Sequence, residues 1–321
     1  MNVCAGRQVD QRESYDPEFA AAILHGLSQP QKSLPSRYLY DAEGSALFEE
    51  ITRLVEYYPS RTETAILSEN AAEIANGTGR GTALIELGSG SSRKTEILID
   101  VMPELEVYVA IDVSTAALDE ARSRLAARHP LLDTRGIVAD FSRLPPFPED
   151  VRRHDKLGFF PGSTIGNLDR EQAVNLLSDA RAMLAPRGRF IVGVDLVKDR
   201  ATLLRAYNDA DGVTAAFNLN LLARVNREFD AAFDLDEFAH RAVYDEARRR
   251  IEMHLVSLRD QTVGVLGHAF RFRAGETIHT ENSHKYTIDD FSVLARRAGW
   301  RHARVWTDAD RLFSLHELVE R

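Results

Sequence analysis

The sequence is short of cysteine, of positive charge and of long apolar runs. It holds a single cysteine, Cys4, among 321 residues, which excludes an internal disulfide and a cysteine-cluster zinc site and favours a reducing cytoplasm. The 40 Lys and Arg against 49 Asp and Glu give a formal net charge of −9. Such a surface repels phosphate groups, so we expect neither a nucleic-acid partner nor a membrane partner. The apolar runs are strand-sized, far below the ~20 residues that span a bilayer, and we expect no signal peptide.

The middle of the chain alternates short apolar segments with longer amphipathic ones. Ser60 and Glu63 have the spacing of a capping box and predict the start of a helix that ends near Gly77. Continuously apolar strands that are joined by helices predict a parallel sheet covered on both faces. The predicted strands lie at 83–87, 107–111, 136–139, 156–160 and 189–194.

This rhythm stops between 198 and 286, where two helical stretches precede segments of period two that predict an antiparallel sheet. Near the end of the chain, strands at 303–306 and 313–319 are close enough to pair as an antiparallel hairpin. We therefore expect an α/β domain that is interrupted by a second, discontinuous α+β domain. The expected α/β domain covers 62–197 and 287–321, and the expected second domain covers 1–61 and 198–286.

A glycine-containing turn follows the first predicted strand, in the order Glu86-Leu87-Gly88-Ser89-Gly90. Glycines let the backbone approach a ligand, and the following helix N-terminus presents free N–H groups. Asp112 ends the next strand, where it can accept hydrogen bonds from ribose hydroxyls. Asp140 and Phe141 end the third strand, where they can hold and stack on an adenine. Arg93 stands where a dinucleotide site needs a third glycine, which disfavours an NAD-dependent oxidoreductase.

This E-x-G-x-G turn resembles motif I of the S-adenosylmethionine (SAM) methyltransferases, in which the acidic residue lies near the methionine end of the cofactor. The terminal antiparallel hairpin resembles the end of that family's sheet. The resemblance implies a class I, Rossmann-like, mostly parallel α/β fold with SAM as the methyl donor. His279 and His284 lack the carboxylate–histidine spacing of a known metal site, so we expect no metal.

Longer blocks between about residue 30 and residue 290 resemble the L-histidine Nα-methyltransferases of ergothioneine biosynthesis. That family places three methyl groups on the amine of histidine and produces the betaine hercynine. The resemblance implies the same reaction, with L-histidine as the small-molecule partner, and we expect a cytoplasmic monomer. The blocks include Ser33-Leu34-Pro35, Tyr40-Asp41, Glu56-Tyr57-Tyr58-Pro59, Arg61-Thr62-Glu63, Gly162-Ser163-Thr164-Ile165-Gly166-Asn167, Asp195-Leu196-Val197-Lys198-Asp199, Ala206-Tyr207, Ile251-Glu252-Met253, Ile278-His279-Thr280-Glu281-Asn282-Ser283 and Lys285-Tyr286.

The resemblance also implies roles for individual residues. The implied SAM contacts are Gly88, Lys94, Asp112, Asp140 and Phe141. The implied histidine contacts are Asn167 and Tyr207 at the carboxylate, Glu281 and Ser283 at the two imidazole nitrogens, and Tyr57 and Met253 at the pocket wall. Tyr40 corresponds to a tyrosine near the amine and is the best candidate for a catalytic base, although positioning supplies most of the rate and we expect no essential base.

The chemistry of the residue types supports these roles, although the residues also have plainer interpretations. Asn and Tyr donate hydrogen bonds to a carboxylate without a full positive charge, which suits a site that also accepts the sulfonium of SAM. Without the resemblance, Glu281 would be read as a solvated strand residue, and Tyr207 and Met253 as parts of the core.

Two other functions stay open at this point. One is a relative that N-methylates another amino acid, such as a tryptophan derivative, although Glu281 with Met253 favours imidazole. The other is a catalytically silent sensor of SAM or of an amino acid.

Overall fold

A computed structural model describes residues 15–141 and 146–320 of the chain. Cys4 lies outside the described residues. The α-helices are α1 (Pro17–Leu27), α2 (Ala42–Ile51), α3 (Tyr58–Ala75), α4 (Arg93–Asp100), α5 (Thr115–Arg128), α6 (Glu149–Arg152), α7 (Arg170–Leu184), α8 (Arg200–Tyr207), α9 (Val213–Phe229) and α10 (Ile288–Arg297). The strands are β1 (Lys32–Ser33), β2 (Thr82–Leu87), β3 (Val107–Asp112), β4 (Asp133–Val138), β5 (Asp155–Phe160), β6 (Arg189–Asp195), β7 (Phe238–Asp245), β8 (Arg250–Ser257), β9 (Gln261–Val265), β10 (His268–Phe272), β11 (Thr277–His284), β12 (Trp300–Thr307) and β13 (Phe313–Glu320).

The larger sheet has seven strands in the order β12-β13-β6-β5-β2-β3-β4. The strands from β4 to β6 are mutually parallel, whereas β13 lies between β6 and β12 and is antiparallel to both. This arrangement confirms the expected parallel sheet with a terminal antiparallel hairpin. Every residue of β2 is buried, as a strand covered on both faces requires.

Helices cover both faces of this sheet. On one face, α3, α4 and α5 contribute Ile66, Leu98 and Leu118 to a hydrophobic core. On the other face, α7 and α10 contribute Leu176 and Phe291 to a second core. The amphipathic helices predicted between the strands therefore bury their apolar sides against the sheet.

A third hydrophobic core joins the described N-terminal segment to the segment inserted after β6. Its sheet has the order β1-β11-β8-β7, in which β1 is parallel to β11 and the other pairs are antiparallel. Strands β9 and β10 form a separate two-stranded hairpin. Helix α9 packs across the inserted sheet, with Phe217 and Leu221 fully in the core. The two segments that are distant in the sequence thus share one core.

The capping box predicted at Ser60 and Glu63 is wrong. Helix α3 begins at Tyr58, with Tyr57 at its N-cap and no side-chain cap. Glu63 is instead fully buried, and its carboxylate binds partners from other segments of the chain. Among the described residues, no helix is both long and apolar enough to span a membrane.

Candidate active site

The turn after β2 is held against the end of β3. The Gly88 amide donates to the carbonyl of Ile111 at 2.8 Å, and the φ of Gly88, +64°, is one that favours glycine. Both carboxylate oxygens of Asp112 accept backbone hydrogen bonds, from Gly90 at 2.8 Å and from Ser114 at 2.9 Å. The structure therefore brings the predicted residues Gly88 and Asp112 together at one edge of the sheet.

Glu86 supports this turn from inside the protein. Its carboxylate accepts a hydrogen bond from the hydroxyl of Tyr108, and that hydroxyl lies 2.8 Å from the hydroxyl of Ser92 at the end of the turn. Burial raises the pKa of Glu86 to about 7. Glu86, the acidic residue of the motif, thus connects β2 to the glycine turn through the side chain of Tyr108.

A cavity of about 540 Å³ lies at the carboxyl ends of β3 and β4. Its volume is within the range of small-molecule sites. Asp140 and Ser114 line it from the side of the sheet, and Tyr38 and Tyr40 line it from the N-terminal segment. Arg37 crosses one side of the cavity and places a guanidinium nitrogen 3.1 Å from Asp140. Asp140, which is expected to hold an adenine, therefore lines the cavity and also contacts the N-terminal segment through Arg37.

The ring of Phe141, the other residue expected at the adenine, lies beside the turn. The centroid of the Phe141 ring is 5.3 Å from that of Phe160. A Cβ added to Gly88 would lie 3.7 Å from the Cε1 atom of Phe141. Phe141 thus packs directly behind the glycine turn.

The amine of Lys94, in the first turn of α4, lies 2.5 Å from the carboxylate of Glu63. Both oxygens of Glu63 also accept the backbone N–H of Gly162, at 2.8 and 3.0 Å. Gly162 opens the turn that ends at Asn167. A single buried carboxylate therefore joins a predicted SAM contact to the segment that carries a predicted histidine contact. The sequence placed Glu63 in a matching block, but its spacing from Ser60 suggested only a helix cap.

The inserted sheet places three predicted substrate contacts side by side. Glu281 and Ser283 are two residues apart on β11 and share one face, and Met253 is the cross-strand partner of Glu281 on β8. The amide nitrogen of Asn167 lies 3.4 Å from a carboxylate oxygen of Glu281. Asn167 can come this close because the preceding residue, Gly166, has no side chain. A Cβ at that position would lie only 2.9 Å from the carbonyl oxygen of His284.

The environment of Glu281 changes its acidity. Burial raises the pKa of Glu281 to about 7, although the nearby Lys285 opposes the shift. A hydrogen-bond donor such as an imidazole N–H favours the ionised form of this carboxylate. Glu281 therefore titrates near neutral pH, and its pKa depends on whether a hydrogen-bond donor lies against the carboxylate.

Tyrosine and phenylalanine rings form one wall of the same region. The ring centroids of Tyr57 and Tyr207 are 6.1 Å apart, and that of Tyr40 lies 5.4 Å from Phe217 and 5.5 Å from Phe48. Burial raises the pKa of Tyr40, Tyr57 and Tyr207 well above the usual value. These tyrosines are therefore neutral phenols whose ring faces can stabilise a cation.

A buried charged cluster beneath this wall was missed in the sequence. The Lys285 ammonium donates to the hydroxyls of Tyr207 and Ser283, at 2.9 and 2.7 Å, and pairs with Asp195 at 2.7 Å. Lys198 pairs with the other oxygen of Asp195 at 2.5 Å. The expectation that the carboxylate-binding residues act without a full positive charge is therefore incomplete, because a buried ammonium stands behind Tyr207.

The arrangement has the components that methyl transfer to an amine requires. A turn suited to a nucleotide-like cofactor and a pocket of neutral and acidic hydrogen-bonding groups meet at Tyr40, which lines the cavity and packs in the aromatic wall. Positioning an amine against an electrophilic methyl group needs little acid–base assistance. No set of three or more His, Cys, Asp or Glu residues suited to a metal ion occurs within 15–141 and 146–320.

Comparison with known proteins identifies the family. The model of the family described as histidine-specific methyltransferase, SAM-dependent, matches residues 19–320. The chain is 43% identical over 292 residues to a protein of Mycolicibacterium smegmatis named histidine N-alpha-methyltransferase, covering 89% of this chain and 90% of that protein. It is 31% identical over 300 residues to ergothioneine biosynthesis protein 1 of Neurospora crassa, covering 90% of this chain and 33% of that protein.

A solved structure has the same fold. A SAM-dependent methyltransferase from Clostridium acetobutylicum superposes with a TM-score of 0.50 at 14% identity, covering 87% of this chain and 98% of that one. This likeness confirms the class I, Rossmann-like fold. With the match of the family model over nearly the whole described chain, it follows that the chain belongs to the histidine-specific, SAM-dependent methyltransferases.

Proposed function

We propose that this chain transfers methyl groups from SAM to the α-amine of L-histidine, three times in succession, to give hercynine for ergothioneine biosynthesis. Membership of the family and the names of the relatives support the reaction. The observation that carries the proposal is the pairing of Glu281 and Ser283 on one face of β11, with Asn167 and Tyr207 beside them. This pair offers an acceptor and a donor to the two nitrogens of a neutral imidazole.

In this proposal, the protein binds the substrate at its imidazole ring and at its carboxylate. An imidazole N–H donates to Glu281, and the other ring nitrogen accepts from Ser283. The amide of Asn167 and the phenol of Tyr207 donate to the carboxylate of the substrate. A polar pocket of this kind penalises analogues that leave its buried groups unpaired. Met253 and Tyr57 fill the space around the ring.

The amine then points toward Tyr40 and the cavity next to β3 and β4. SAM supplies an electrophilic methyl group there, with Gly88, Lys94, Asp112, Asp140 and Phe141 as its contacts. In the first two transfers, the neutral phenol of Tyr40 accepts a hydrogen bond from an N–H of the amine and aligns its lone pair; the dimethylated amine of the third transfer has no N–H left and is aligned by the shape of the site alone. The amine loses a proton before each transfer, and an α-amine with a pKa near 8 can release it to water. The aromatic faces of Tyr40 and Tyr57 stabilise the ammonium that results.

The proposal extends to the organisation of the chain. We assign SAM binding to 62–197 and 287–321 and histidine binding to 1–61 and 198–286, with Asn167 as the histidine contact that the SAM-binding domain contributes and with the boundary in the first turn of α3. We also propose a monomer that acts in the cytoplasm and needs no metal. Light scattering coupled to size-exclusion chromatography tests the oligomeric state, and activity in the presence of a chelator tests the metal.

The reaction is tested with the purified protein, SAM and L-histidine. Mass spectrometry should reveal products that carry one, two and three added methyl groups, with the trimethylated product dominant at the end. Calorimetry should show that histidine binds more tightly than tryptophan. Methylation of tryptophan in preference to histidine would overturn the substrate assignment. Binding of SAM without methylation of any proteinogenic amino acid would overturn the enzyme assignment in favour of a sensor.

A further inference from the structure

Lys285 uses all of its hydrogen-bonding capacity inside the protein. Its side chain is fully buried, and its ammonium contacts the hydroxyls of Tyr207 and Ser283 and one oxygen of Asp195. An ammonium has three N–H donors and no acceptor, so each donor has one partner. Two of these partners are the hydroxyls that the proposed function assigns to the carboxylate and to the imidazole of histidine.

The donation from Lys285 decides what those two hydroxyls can do. The oxygens of Tyr207 and Ser283 lie 2.7 Å apart, so one of their protons is shared between them. Each oxygen also accepts a hydrogen bond from Lys285. Both hydroxyls can therefore turn their protons toward a substrate, because each oxygen keeps a donor when the bond between them opens. Without Lys285, the same change would leave buried oxygens without a donor.

Lys285 is surplus as a partner for Asp195. Lys198 already pairs with that carboxylate at 2.5 Å, and the Tyr58 hydroxyl lies 2.8 Å from both of its oxygens. Two lysines and one aspartate leave one positive charge in a buried cluster. Burying an uncompensated charge destabilises the protein unless a nearby anion neutralises it. Glu281 is the protein's nearby acid, and the substrate carboxylate would be a second anion.

The pKa values of the cluster agree with this charge distribution. Burial would raise the pKa of Asp195, but Lys285 and Lys198 hold it below its usual range. Burial and the neighbouring Lys285 lower the pKa of Lys198 to about 8, despite the attraction of Asp195. The two cations thus repel each other across one carboxylate, and an added anion on the side of Lys285 relieves that repulsion.

We propose that Lys285 is a positioning and specificity-determining residue that turns Tyr207 and Ser283 into donors toward the substrate and makes the enzyme select amino acids with a free α-carboxylate. This inference rests on the proposed methylation of histidine. It assigns to Lys285 no contact with the reacting atoms. Its effect passes through two hydroxyls that meet the substrate at opposite ends.

The test compares histidine with histidinamide, which keeps the imidazole and the amine but has no carboxylate. Lys285→Gln removes the charge and retains a hydrogen-bond donor. We expect the variant to reduce the ratio of kcat/KM for histidine to that for histidinamide by about tenfold, the difference between a charge-assisted and a neutral hydrogen bond. The loss should appear mainly in the KM for histidine. Measuring both substrates with each variant cancels the difference in the basicity of their amines.

Lys198→Gln is the matched control, because it removes the other buried lysine from the same aspartate without touching Tyr207 or Ser283. We expect this variant to keep the ratio of the wild-type protein. An unchanged ratio in a folded Lys285→Gln protein that still binds SAM would overturn the inference. An equal change in Lys198→Gln would also overturn it, because the effect would then come from net charge alone.

Three further outcomes distinguish a folding defect and a failure of the proposed function from a failure of this inference. If Lys285→Gln fails to fold, the double variant Lys285→Gln with Asp195→Asn carries the same comparison, because it removes the counter-charge as well. If the wild-type protein methylates histidinamide as well as histidine, the inference fails while the proposed methyltransferase stands. If the wild-type protein methylates neither, the proposed function itself fails.

Discussion

Replacing Glu281 by Gln should make the protein more stable and less able to bind histidine. The carboxylate is buried, and burial raises its pKa from 4.5 to about 7. A raised pKa means that the folded protein resists ionisation of Glu281. The wild-type protein is therefore penalised above pH 7, partly penalised between pH 4.5 and 7, and not penalised at lower pH. Glutamine keeps the shape and stays neutral at every pH.

The size of the effect follows from the shift. At 1.36 kcal/mol per unit, a change from 4.5 to about 7 corresponds to about 3 kcal/mol of unfolding free energy at pH 8. For a chain of 321 residues, an unfolding entropy of about 2.1 cal/mol/K per residue converts this into a rise in Tm of about 4 °C. At the same time, a neutral amide in place of the carboxylate should raise the KM for histidine about tenfold.

Calorimetric melting of Glu281→Gln and wild-type protein from pH 4.5 to 8, together with steady-state kinetics at pH 8, measures both effects. Glu252→Gln is a suitable control, because Glu252 lies on the adjacent strand β8. Burial would raise the pKa of Glu252, but hydrogen bonds from Arg250 and His254 lower it, so its replacement should reduce stability at pH 8. A Tm difference for Glu281→Gln that is the same at pH 4.5 and pH 8 would refute the reasoning about burial. An unchanged KM would refute the contact with imidazole.

Three further substitutions test the rest of the site. Glu63→Gln should lower the unfolding free energy by about 2 kcal/mol and raise the KM for both SAM and histidine, because Glu63 holds Lys94 and Gly162; denaturant melts and two-substrate kinetics measure this. Tyr40→Phe should lower kcat about tenfold without moving the acidic limb of the pH–rate profile, since the raised pKa of Tyr40 keeps it neutral; a shifted limb would make it a base. Asp112→Asn should weaken SAM binding at least about tenfold in calorimetry, because its amide would face a backbone N–H.

The larger sheet was readable from the sequence because local signals dominate it. Continuous apolar runs placed β2 and β3 within a residue of their observed ends, and the run at 156–160 is β5 less its first residue. The short strand β1 gave no such signal. It has two residues and pairs Lys32 with Ile278, a contact that depends on the packing of segments far apart in the chain.

The site was readable only in part, for a related reason. Gly88 and Asp140 follow strands and Asp112 ends one, so their place at one edge of the sheet is a consequence of the fold. Buried charges give no local signal, since a charged side chain is usually exposed. Glu63 and Lys285 stood in matching blocks, but their partners Gly162 and Asp195 come from other segments, and the pairing appears only when the chain is folded.

The buried cluster around Asp195 lies where the chain passes between its two proposed domains. Tyr58 precedes the first passage, Asp195 and Lys198 flank the second, and Lys285 precedes the third; the backbones of Asp195 and Tyr286 are hydrogen-bonded at 3.1 Å. The groups that hold Lys285 and its partner Asp195 therefore come from both proposed domains. Under the proposed role of Lys285 in orienting the hydroxyls of Tyr207 and Ser283, recognition of histidine depends on contacts that both proposed domains supply.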